Sequence, residues 1–242
     1  MTEPLKLHRG LVLSRALIAG AAGLVPIPYV DDLLAGAVRS QLVRQIARLR
    51  NVDLDANAVD ALATPRGSRL LGAASFGAAA LGTTRRAFRR VAASLLIVRR
   101  ADEAVQTFQV GTLFDYYCAR HHVGFGLDGA RAAEVRAAMD RAIKAARSEA
   151  AEKAFRRVLR GLAALALKVP RGLWSLWSER RGQPLRPEHV PDDLEERLER
   201  AASSNFVRRA VDGLDAELRR GYLDALTAAF DAAWQPPAEP KP

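Results

Sequence analysis

The stretch Gly23–Asp32 reads GLVPIPYVDD and interrupts the most apolar part of the chain with two prolines, a tyrosine and two aspartates. Pro26 and Pro28 lack an amide donor, and each restricts the residue before it, so a helix stops there. Upstream, residues 10–25 are apolar, with Ala16 and Gly20 four apart and Ala19 and Gly23 likewise. That spacing puts small residues on one helix face and lets another backbone come close. Downstream, Asp31 or Asp32 suits an N-cap. Leu34, Val38, Leu42, Ile46 and Leu49 then recur at intervals of three and four, with Arg39, Arg44, Arg48 and Arg50 left largely for other faces. Asn51 suits the C-cap. The stretch is therefore the bend of an antiparallel helical hairpin.

The rest of the chain extends this pattern. Val52–Ala63 reads as a short helix ended by Thr64-Pro65. Leu70–Thr84 is a second small-residue helix, with Ala74, Ala78 and Gly82 on one face, followed by RRAFRRVAASLLIVRR. Helix continues over Ala101–His122, and the three glycines of Val123–Gly129 make a loop. Residues 130–167 give the longest helical pattern, with Val135, Met139, Ala142, Ala146, Ala150, Ala154, Val158 and Leu162 on one face and Arg136 among the residues of the others. Three prolines between Gly182 and Pro191 mark a linker. Further helices are expected near 192–202, 204–213 and 214–234, and QPPAEPKP reads as a disordered tail.

The expected fold class is all-α: helical hairpins of small-residue helices packed with a long amphipathic helix and a C-terminal helical cap. The expected divisions are a lead over 1–9, a hairpin-rich membrane-associating part over 10–130, and the long helix with a Trp-bearing segment over 131–181. A Pro-rich linker over 182–191, an acidic cap over 192–234 and a tail over 235–242 follow.

Charge sorts these parts. The 242-residue chain carries a net +10, which suits anionic partners such as nucleic acid or anionic lipid. From Thr64 to Arg100 there are eight arginines and no acid, and the arginines flank the apolar segments rather than interrupt them. Bilayer-associated helices share that look, with basic residues at headgroup level on the cytoplasmic side. Residues 187–232 reverse it, with eleven acids against six arginines. Trp174 and Trp177, three apart beside Arg171, Arg180 and Arg181, fit an interfacial anchor. No charge-free apolar run reaches the roughly 18 residues of an ordinary transmembrane helix. Arg15 inside the apolar stretch and Glu3 before it argue against a cleavable leader.

Residues 14–62 resemble the start of the bacterial YcjF-type inner-membrane domain of unknown function, with a similar hairpin in the related EcsC-type proteins. The matching residues are Pro26, Ile27, Pro28, Asp31, Gln41 and Ile46, in a stretch that covers about a fifth of the chain. The resemblance implies a helical protein at the inner membrane that often occurs with GTPase domains. The sequence has no G-x-x-x-x-G-K-[ST] loop, so any GTPase would be a separate protein.

Chemistry is sparse. TLFDYYCARHHVGFG, residues 112–126, places Asp115, Cys118 and His122 on one helix face beside His121, a set that metal binding would use with a further ligand. The plainer reading is an aromatic helix with Phe114, Tyr117 and Cys118 in the core, and Tyr116 and the histidines toward water. No H-E-x-x-H or C-x-x-C occurs, and the serines show no nucleophile elbow. The expectation is a non-catalytic scaffold, adaptor or remodelling factor without cofactor. It would bind anionic lipid through Arg85, Arg86, Arg89 and Arg90, with a GTPase as a further partner. The alternatives are a soluble all-α interaction protein, or a nucleic-acid binder using that arginine stripe.

Overall fold

The structure is a computed structural model that describes residues 4–22, 30–64, 85–122, 124, 126–166, 196, 199–200, 202–218 and 221–235. Within the helices, side chains at 4–6, 22, 30–34, 85–96 and 162–166 are not described. Among the described residues the fold is all-α. The helices are α1 (Pro4–Ala22), α2 (Val30–Leu49), α3 (Ala56–Ala63), α4 (Arg85–Arg120), α5 (Gly129–Ala145), α6 (Glu149–Ala166), α7 (Asn205–Leu218) and α8 (Tyr222–Ala233). Two short strands, β1 (Asp53–Leu54) and β2 (Gly126–Leu127), pair in parallel, Asp53 opposite Gly126 and Leu54 opposite Leu127.

α1 is the central helix. Val12, Leu13, Ala16, Leu17 and Ala19 are all buried, and α1 packs on α2, α4, α6 and α7. Residues 12–20 therefore spend their apolar surface inside the protein, which corrects the expectation that this helix offers it to lipid. α1 and α4 run antiparallel: His8 meets Asp115, Val12 lies against Gly111, and Gly20 lies against Arg100 and Ala104. A Cβ on Gly20 would stand 2.9 Å from Ala104 Cβ, 3.0 Å from the Arg100 carbonyl and 3.1 Å from Leu159 Cδ1. Its close neighbours are thus α4 and α6.

α2 returns beside α1 and ends in a Schellman motif. Asn51 takes a left-handed φ of 55°. Val52 N–H donates to the Ala47 carbonyl at 2.9 Å and Asn51 N–H to that of Arg48 at 3.2 Å, so the last carbonyls of the helix are satisfied. Asp31 and Asp32 fall inside the first turn of α2, not at its N-cap. Pro26 and Pro28 lie outside the described residues, as do Ala74, Ala78, Gly82, Trp174 and Trp177.

The longest helix is α4, with 36 residues; the expected helix over 130–167 is two. Ser148 separates them, its Oγ accepting from Ala151 N–H at 3.3 Å as the N-cap of α6. α5 goes on to pack on α3 and α8, whereas α6 packs on α4, α7 and α1. The break shifts the apolar phase: α6 buries Ala151, Ala154, Phe155 and Leu159, and Ala150 is exposed. The acidic C-terminal helices dock as a cap, with Asp215 on Arg9, Glu199 on Arg15 and Glu217 on Arg157. α7 continues to Leu218, so its split from α8 comes later than the expected 213/214. One core joins α1 through α8.

Candidate functional site

Three features carry polar chemistry: an ion cluster under α1, an aromatic cluster at the C-terminal end of α4, and the arginine-bearing end of the bundle.

Asp115 on α4 is 2% exposed. Its Oδ1 lies 2.8 Å from His8 Nδ1 and 2.7 Å from Arg50 Nε, while Oδ2 accepts from Arg50 Nη2 at 3.0 Å. Bidentate pairing of this kind fixes a guanidinium against a carboxylate. Cys118 sits one turn on. Burial, and then the Asp115 charge, push its thiol well above the usual range, so it holds its proton and is a poor nucleophile.

Tyr116 is buried rather than facing water, a second correction. Its hydroxyl donates to Asp231 Oδ2 at 2.8 Å, and His121 Nε2 lies 2.8 Å from Asp231 Oδ1. Burial, with the Asp231 hydrogen bond and charge, pushes the Tyr116 phenol up to about 12. Tyr117, Phe230 and Trp234 pack around these groups. The Arg131 guanidinium lies 4.7 Å from the Trp234 ring centroid, a cation–π contact. Burial lowers the His122 imidazole. The residues singled out for metal binding therefore diverge: Asp115 serves His8 and Arg50, and His121 serves Asp231. Among the described residues no group of three or more His, Cys, Asp or Glu side chains is placed to hold a metal.

No dinucleotide fingerprint is expected from the sequence, yet Gly124, Gly126 and Gly129 have the G-x-G-x-x-G spacing of a dinucleotide-binding turn. That turn needs a preceding strand and a free helix N-terminus. Here the glycines follow a helix, and β2 lies inside the motif. Asp128 Oδ1 accepts from Arg131 N–H at 2.7 Å, and Asp55 Oδ2 from Gly129 N–H at 3.3 Å. Two carboxylates occupy the place a pyrophosphate would take. Gly129 is needed for close approach, since a Cβ there would stand 2.7 Å from Asn57 Cβ.

Buried arginines were also missed. Arg15 is 0% exposed and donates from Nη2 to Glu199 Oε1 at 2.5 Å and to Gln45 Oε1 at 3.1 Å. Arg39 donates to the Ala63 carbonyl at 3.1 Å and to Glu103 at 3.2 Å. Arg100 turns into the bundle onto Glu103 at 2.7 Å, so it does not extend the basic stripe. Arg136 reaches Asp140 at 2.9 Å and the Leu62 carbonyl.

Arg85, Arg86, Arg89 and Arg90 fall in the first two turns of α4. α1 reaches the level of Arg100 at Gly20, so α4 runs on from there for 15 residues to Arg85, about 22 Å at 1.5 Å per residue. The same end receives the end of α3, since Arg39 joins Ala63 to Glu103. It also receives the outgoing end of α6, since Leu159 lies at Gly20. The described residues that flank 23–29 and 65–84, and the helix end that precedes 167, thus gather at one end. Among the described residues no helix is long and apolar enough to cross a membrane.

No family model matches the chain, and no curated protein or solved structure matches it. The likeness of residues 14–62 to the YcjF-type domain rests on the motif residues quoted for it.

Proposed function

We propose that the protein is a non-catalytic helical scaffold that associates with an anionic membrane surface through the arginine-bearing end of its bundle, at the cytoplasmic face of the inner membrane. One observation supports this most. The helix ends that lead into the apolar segments 23–29 and 65–84, and into the Trp-bearing segment that begins at 167, lie toward the end where α4 carries Arg85, Arg86, Arg89 and Arg90. α1 is not the inserting element; the apolar segment 70–84 and the arginines after it take that role. A GTPase partner follows from the resemblance alone and is tested by co-purification.

Each arginine near an anionic surface contributes about 1 kcal/mol, so four contribute about 4, roughly a thousandfold in partitioning. Flotation with phosphatidylglycerol vesicles is the test. The wild type is expected to float with anionic vesicles and not with phosphatidylcholine. Reversal of Arg85, Arg86, Arg89 and Arg90 to Glu should abolish flotation with the melting temperature unchanged. Duplex DNA binding with a steep salt slope and no vesicle binding would overturn the proposal in favour of the nucleic-acid reading.

The enclosure of α1 favours a second reading, a soluble interaction protein whose bundle is complete without lipid. Recovery of the wild type in the unfloated fraction with both vesicle types, together with absent DNA binding, decides for it.

A further inference from the structure

On the flank of α1 toward α7 lies an open cleft of about 500 Å³, within the size range of small-molecule sites. Leu7 and Leu11 of α1, Leu49 of α2 and Val211 of α7 give it apolar walls. Leu7 is 76% and Leu49 49% exposed, so apolar surface stands open at the mouth.

One buried polar side chain serves this cleft. His8 lines it, yet its side chain is only 9% exposed. The Asp115 carboxylate is held by Arg50 and can only accept, so in the neutral imidazole the proton sits on Nδ1, 2.8 Å from Asp115. The lone pair is then on Nε2. No described group bonds Nε2, and it is not among the sealed polar atoms. With Nδ1 turned inward to α4, Nε2 is the atom His8 brings to the cleft. The Asp115–Arg50 pair fixes the ring and its tautomer, so the neutral ring holds a hydrogen-bond acceptor in place in a cleft whose lining is part apolar and part polar.

The rim does not select a charge. Glu199 is taken by Arg15 and Gln45, and the other two charged residues lining the cleft, Arg208 and Asp212, are of opposite sign. Ser14 also lines the cleft, but its hydroxyl donates to the Leu11 carbonyl at 2.8 Å. It stands six residues from His8, about 9 Å along the helix, so the two do not form a nucleophile–base pair.

We infer that this cleft binds a small neutral amphiphile, an alcohol or phenol with a hydrocarbon body, whose hydroxyl donates to His8 Nε2. The site is independent of the membrane-facing end, and its failure would leave that reading standing.

The test uses the full chain with para-butylphenol and its methyl ether, para-butylanisole, which has the same body without the donor. Binding is followed by titration calorimetry and by the imidazole nitrogen shifts in long-range proton–nitrogen correlation spectra. The phenol should bind about tenfold more tightly than the ether, the worth of one hydrogen bond, and should move the His8 Nε2 resonance with little change at Nδ1. His8→Asn keeps an amide donor for Asp115 and removes the Nε2 acceptor. It should weaken the phenol about tenfold and leave the ether unchanged. Leu49→Asp, at an exposed position, should weaken both probes whether or not the His8 variant folds. Equal binding of phenol and ether, an unmoved Nε2 resonance, or indifference to Leu49→Asp would each overturn the inference.

Discussion

At one end of the bundle Asp115 holds His8 and Arg50, Asp231 holds Tyr116 and His121, and Arg131 lies over Trp234. At the other, α4 carries Arg85, Arg86, Arg89 and Arg90 in a segment with no acid between Thr64 and Arg100. The same residue type does opposite work in the two places. Arg50 sits in a carboxylate that fits it, and a buried pair repays its desolvation only with such geometry. Segment 64–100 supplies no acid of its own, and at its end Arg100 turns inward to Glu103. The lesson is that an arginine count says little about partners until burial divides it.

The contrast is sharpest under substitution. Asp115→Ala removes the buried carboxylate that Arg50 and His8 share and should cost about 3 kcal/mol or more, a fall in melting temperature of roughly 6–12 °C. Thermal denaturation by circular dichroism reads it. The fourfold arginine reversal should leave that temperature in place. Comparable melting shifts for the two variants would erase the distinction between the ends.

Glycines along the α1–α4 contact grade it more finely. At Gly20 an added methyl meets the Arg100 carbonyl and the Ala104 Cβ, neither of which can rotate away. Gly20→Ala should therefore lose about 1–3 kcal/mol in urea denaturation despite better helix propensity. At Gly111 the methyl meets Leu42 Cδ2 at 2.8 Å and Val12 Cγ1 at 2.9 Å, side-chain atoms that can shift further than a backbone carbonyl. Gly111→Ala should be within about 1 kcal/mol of wild type, because the propensity gain offsets the repacking. A reversed ranking would mean that α1 and α4 do not approach most rigidly at Gly20.

The smallest effect is at the aromatic cluster. Tyr116 keeps its proton to about pH 12 in the folded protein against an ordinary value near 10. The folded state then binds the proton more tightly, so this stabilisation is complete below pH 10 and is lost as pH rises through 12. Ultraviolet titration should show Tyr116 ionising late, with Tyr117 and Tyr222 also raised by burial, and in Asp231→Ala Tyr116 should move part of the way back toward its ordinary value, because burial, the larger cause, remains. No change in that variant would assign the shift to burial alone.

Much of the fold was legible in the chain. The stripe Val38, Leu42, Ile46 marked α2, and Asn51 marked its end because a left-handed residue there has few alternatives. The break between α5 and α6 was hidden because alanines stand on several faces of 130–167, so an alanine stripe carries almost no phase. The Ser148 cap was a readable signal, outweighed by apparent continuity. Of the candidate site, Phe114 and Tyr117 lie in the core as the pattern of 112–126 implied, whereas the burial of Tyr116 and the partners of Asp115 were not legible. The metal reading assumed that neighbours on one helix face share a ligand, whereas each carboxylate took partners from other helices.

The sequence by itself determined that the chain is helical, that Gly20 permits close approach, and how charge divides between residues 64–100 and the acidic C-terminal part. Those properties depend on neighbours within a few turns. Only the tertiary structure decided that α1 is enclosed, that Arg15 and Arg136 are buried, and that His8 is fixed by a carboxylate 107 residues away with one nitrogen left for a cleft. Burial and pairing are properties of segments brought together, and local periodicity does not encode which segments those are.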